Sequence, residues 1–144
     1  MSTLELDVLA PPSHGNEVKA DRFFHLADVM KKEIKTQKNI LHRCESNFGP
    51  KDHAAELRQD IVRREKVMVL TRELAVLFCT GEVPKFVSGI HKREHVGMLL
   101  QIQRDKWPFY ESTGFLRAIG VATEDDYNHV LEWIDRTLEY GMET

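Results

Sequence analysis

His91-Lys92-Arg93-Glu94-His95 is the densest run of chemically capable side chains in the sequence. On a helix, residues four apart share a face, so His91 and His95 can ligate one metal ion while Glu94 acts as base toward a bound water. The letters match the H-x-x-E-H pattern of inverted zinc proteases. The match stops at those five residues. A third protein ligand is needed, and nothing nominates one among Glu111, Asp126, Glu132 and Asp135. An exposed, charged first helical turn is the plainer reading, so no metal and no cofactor are expected, and a metal-dependent enzyme stands as an alternative. Asp126 and His129, three apart, lack the second Glu-x-x-His segment of a dinuclear carboxylate site and read as a local pair.

Nucleophilic and phosphate chemistry find less support. Cys44 and Cys79 have no C-x-x-C spacing and no neighbouring base. Both fall on apolar helix faces, as reduced core thiols do, and antiparallel packing of the first two helices would let them meet. There is no Gly-rich phosphate loop, no G-x-S-x-G elbow and no dinucleotide fingerprint. An enzyme is therefore not the expected reading.

Two sets of residues point to binding. Lys31, Lys35 and Lys38, with Arg63 and Arg64, are the candidates for contacting a nucleic-acid backbone. Glu33, Glu56, Asp60 and Glu65 are interleaved with them and the isoelectric point is about 6.2, which suits surface ion pairs better than a phosphate track. Trp107, Phe109, Tyr110, Phe115 and Trp133 form the second set. Aromatic side chains dominate binding hot spots because they bury much area with few rotatable bonds. They also make good joints between short helices.

The elements that must carry these residues are helical. Phe23, Ala27, Met30, Ile34, Leu41, Cys44 and Phe48 alternate spacings of four and three, with Gln37 in the one gap, and predict a helix over 17–47 behind an Asn16 cap. Gly49-Pro50 ends it. A second helix over 52–79 is amphipathic at first and apolar on most sides from Val67 to Cys79, as befits a rod at the centre of a fold. Gly81-Glu82-Val83-Pro84 breaks the pattern. Further helices are expected over 91–106, closed by Trp107-Pro108; over 110–119, capped by Gly120; and from Thr123-Glu124-Asp125-Asp126, a capping-box opening, to Gly141. Pro11-Pro12 and Gly15 mark residues 1–15 as a flexible arm, and 16–144 as a single helical domain with a minor break near 80–90.

Of 144 residues, 42% are hydrophobic and 30% charged, within the range of globular proteins. No run approaches the roughly 20 apolar residues of a membrane span, and no secretory signal opens the chain, so a cytoplasmic protein is expected. The net charge of −3 is unevenly distributed: residues 17–108 hold 18 Lys/Arg against 13 Asp/Glu, and residues 109–144 hold 2 against 8. The fold class is all-α, a bundle with a long antiparallel helical hairpin and about three shorter C-terminal helices. The expected function is a non-enzymatic protein–protein interaction module (regulator, adaptor or inhibitor) using a helical surface. Self-association through the first helix is its companion, and a nucleic-acid-binding regulator the alternative. The partner is another protein, with no membrane involved.

Overall fold

The computed structural model describes residues 11–46, 51–81, 83–90 and 92–142, with side chains from residue 16 onward except 51 and 52. Among these residues five α-helices follow one another: α1 (Pro11–Ser46), α2 (Lys51–Cys79), α3 (Arg93–Asp105), α4 (Thr113–Ala118) and α5 (Glu124–Met142). Short 3-10 turns at Lys85–Val87 and Phe109–Glu111 precede α3 and α4. The fold is all-α, and no strand occurs among the described residues.

Helices α1 and α2 form an antiparallel hairpin whose register can be read from its cross-contacts. Glu45 pairs with Arg58, Lys38 with Glu65 at 3.9 Å, and Glu33 with Arg64 at 3.2 Å. The Phe23 and Phe78 rings stack with centroids 5.5 Å apart. Ala20, Phe23, Ala27, Met30 and Ile34 are buried along the seam, as their spacing requires. Beyond Ile34 the seam loosens. Gln37, Leu41 and Cys44 are only half-buried, while Phe48 lies outside the described residues.

The second half of α2 is the centre of the fold. Leu70, Leu74, Ala75 and Phe78 are buried against α3 (Val96, Leu99, Ile102) and α5 (Tyr127, Val130, Ile134) in one cluster. Thr71 is buried among them, and its hydroxyl donates to the Val67 carbonyl at 2.7 Å, so no polar group is stranded there.

Several boundaries differ from expectation. Helix α1 begins at Pro11 rather than after Asn16. The first helical N–H groups have no intrahelical acceptor, so Pro11 and Pro12 forfeit no hydrogen bond there. Residues 1–10 of the expected arm lie outside the described residues. The helix expected over 110–119 is divided, because Pro108 starts a 3-10 turn (Glu111 N–H to Pro108 O, 3.1 Å) and α4 begins only at Thr113. Helix α3 stops at Asp105 with Lys106 left-handed at φ 52°, which turns the chain toward Trp107-Pro108. Helix α5 opens as expected, the Asp126 N–H donating to Thr123 Oγ1 at 3.1 Å. Cys79 is exposed, since Phe78 takes the core position, and Cys44 lies near the opposite end of the hairpin, so the two thiols do not meet.

Two glycines lock the segment after α2 to the end of α4. Gly120, at φ +98°, closes α4: its N–H donates to Arg117 O at 3.0 Å and that of Val121 to Leu116 O at 2.7 Å. A Cβ on Gly120 would overlap the Lys85 carbonyl, and one on Gly89 would overlap the Ala118 carbonyl and Ile119 Cα. Each loop thus rests on the other's backbone. Gly89→Ala and Gly120→Ala are each expected to destabilise the fold by roughly 2–4 kcal/mol in urea denaturation. Gly114→Ala, where an added Cβ meets nothing within 4 Å, leaves the midpoint unchanged or raises it.

Candidate protein-binding groove

The short helices occupy one side of the hairpin, and another side is left uncovered by the described residues. There, α1 carries Phe24, Asp28, Lys31, Lys35 and Lys38 at spacings of four and three, so they share a stripe beside the seam. Helix α2 faces them with Glu65, Met68 and Arg72. Between the stripes runs a groove of about 520 Å³ floored by Ile34 and Met68, and a second hollow of about 240 Å³ continues it over Phe24 and Ala27. Phe24 is 41% exposed, unusual for a large aromatic beside a core seam.

The groove is basic at its rim. Five cations line it: Lys31, Lys32, Lys35, Lys38 and Arg72. Two have acidic partners, Lys32 with Asp28 at 3.4 Å and Lys38 with Glu65 at 3.9 Å. Lys31, Lys35 and Arg72 have none among the described residues. Three positive charges thus stand over an apolar floor.

The other candidates fall elsewhere. Arg63 and Arg64 lie away from this groove, and Arg64 is tied to Asp60 at 2.7 Å and Glu33 at 3.2 Å. Ring contacts and one hydrogen bond to a backbone carbonyl divide the aromatic set among three places. Trp107 and Phe109 meet around Tyr127, whose hydroxyl donates to the Trp107 carbonyl and whose ring lies 5.7 Å from that of Phe109. Phe115 packs near His95, centroids 6.0 Å apart, and Trp133 near Phe86 at 5.6 Å. All four are partly buried on the core, and Tyr110 alone is well exposed, at 74%. His91 lies outside the described residues. Among those described, no group of three or more His, Cys, Asp or Glu side chains converges as a metal site.

The stripe was visible in the sequence through its lysines, whereas Phe24, Met68 and Arg72 were not singled out. Phe24 precedes Asp28 and Lys31 by four and seven positions, and Met68 precedes Arg72 by four. That shared spacing is the signal that would have found them. No family model, curated protein or solved structure matches the chain.

Tyr127 holds the aromatic joint together, and burial raises its phenol above the ordinary tyrosine value. The folded state then holds this proton more tightly than the unfolded chain does. Its contribution is complete below about pH 10 and is lost as pH rises through the folded value. Tyr127→Phe removes the bond to the Trp107 carbonyl and is expected to cost about 1 kcal/mol near neutrality. It also flattens the alkaline fall in stability, as urea midpoints between about pH 7 and pH 11 would show.

Proposed function

We propose that this chain is a non-enzymatic protein–protein interaction module, a regulator, adaptor or inhibitor, whose α1–α2 groove receives an acidic amphipathic helix of another protein. The observation that carries this reading is the groove itself, with Lys31, Lys35 and Arg72, which have no acidic partner among the described residues, above Phe24, Ile34 and Met68. Two antiparallel helices with an apolar furrow are most of a three-helix bundle. An incoming helix would bury its apolar stripe on the floor and set its acidic flanks against the rim.

A nucleic-acid backbone fits this surface less well. Asp28 and Glu65 line the groove beside the lysines and interrupt a phosphate track. The apolar floor would be left uncovered by a phosphodiester chain. An amphipathic peptide uses both features.

The test is fluorescence anisotropy with a synthetic amphipathic helical peptide, leucines on one face and glutamates along its flanks. Saturable binding that weakens with added salt is expected, as is a loss of at least about tenfold in Lys31→Glu/Lys35→Glu. Both lysines are exposed, so that double variant keeps its helical circular-dichroism spectrum. Equal affinity for a lysine-flanked peptide would overturn the reading. So would retention of DNA or RNA, or dimerisation in sedimentation, that the double variant abolishes while the acidic peptide never binds.

A further inference from the structure

We infer that the cleft between α2 and α3 around Gly97 is a separate binding site for a small phosphomonoester with an apolar body. The cleft encloses about 210 Å³ between Arg63, Lys66 and Val67 of α2 and Gly97, Leu100 and Arg104 of α3. It lies apart from the lysine-rimmed groove and shares no lining residue with it.

Gly97 is the first observation. Glycine in a helix interior weakens the helix relative to alanine, so its presence in α3 asks for a reason. Close packing is not that reason. A Cβ built on Gly89, Gly120 or Gly141 would strike a neighbour, whereas one on Gly97 meets nothing within 4 Å. Gly97 lines the cleft beside Val67 and Leu100, and having no side chain it leaves that space unfilled.

Charge is the second, independent observation. Glu33 binds both Arg64 at 3.2 Å and Arg93 at 3.0 Å in the adjoining hollow, which Glu94 also lines, and Asp105 engages Arg104 at 3.1 Å. Gln103 donates to Asp135 at 2.6 Å. Arg63, which also lines that hollow with Glu33 and Glu94, and Lys66 face the cleft, and neither forms a salt bridge among the described residues. Two uncompensated cations match a phosphomonoester, which carries about −1.5 to −2 at neutral pH, better than a single carboxylate. A guanidinium and an ammonium supply the donors such a group takes, and Val67 and Leu100 offer an apolar wall for the organic remainder.

The probe is phenyl phosphate, titrated into ¹⁵N-labelled full-length protein with benzoate and inorganic phosphate as comparisons. Saturable shifts of the Gly97 and Leu100 amides are expected, with phenyl phosphate binding tighter than either comparison. Arg63→Ala/Lys66→Ala weakens it by about tenfold or more. Gly97→Leu fills the cleft and abolishes the shifts of Leu100. Gly97→Ala keeps a melting temperature at or above wild type and weakens binding to a lesser degree, separating occupancy of the cleft from damage to the fold. Benzoate binding as tightly as phenyl phosphate, or unchanged affinity in either the double variant or Gly97→Leu, would overturn the assignment. Because Lys31 and Lys35 are not involved, Lys31→Glu/Lys35→Glu retains phenyl phosphate binding whatever the outcome with acidic peptides.

Discussion

The structure depends on burying one rod from several sides. The second half of α2 presents Leu70, Leu74, Ala75 and Phe78 to its neighbours, and each neighbour is positioned by its contact with that surface. Helix α1 meets it through Phe23, stacked on Phe78, and through Ala20. Helices α3 and α5 meet it through Val96, Leu99, Val130 and Ile134. Such burial is worth roughly 1.5–3 kcal/mol for each large side chain, before the entropy of ordering is set against it. The surface ion pairs along the hairpin, mostly half-exposed, each contribute about 1 kcal/mol or less and serve to fix register.

A central rod covered unevenly explains why the hairpin has different sides. The short helices reach α1 near Glu33, where Arg93 of α3 binds the same carboxylate as Arg64 of α2. Past that point the described part of the hairpin is held by its own loosened seam, with Ile34, Ala54 and Ile61 its buried apolar residues. Ser46 lies 13 residues beyond Glu33, about 20 Å along the helix axis. The lysine-rimmed groove sits where this arm joins the body, on a side that none of the described short helices covers. Its floor is therefore an extension of the core seam, which is why apolar and basic residues lie side by side there.

What the sequence disclosed follows from which interactions are periodic. The four-and-three spacing of Phe23, Ala27, Met30 and Ile34 announced a buried seam, and Thr123 announced a helix start through a bond to a residue three positions on. Non-periodic features were hidden. That Gly89 lies on the backbone of Ala118 and Ile119 is a long-range contact with no local mark, and so is the uptake of Trp107 by Tyr127. The aromatic set was noticeable by composition alone, and composition does not say that three different partners divide it. The groove was half legible: lysines on one helix can be counted, but whether another helix covers them is decided by tertiary packing.

The charge asymmetry gains its meaning from the same packing. An acidic C-terminal element beside a basic hairpin invites mutual neutralisation, and the geometry does not provide it. Among the described residues, Glu132 of α5 pairs with Arg136 of the same helix, and Asp135 accepts from Gln103 of α3. No salt bridge joins α5 to either hairpin helix within the described part of the chain. Contact between α5 and α2 is apolar and close instead, to the point that a Cβ on Gly141 would overlap Val69. The fold thus brings α5 against α2 through its apolar side and spends none of its acids on the hairpin's lysines. Lys31, Lys35 and Arg72 therefore stand over an apolar floor with no acidic partner among the described residues.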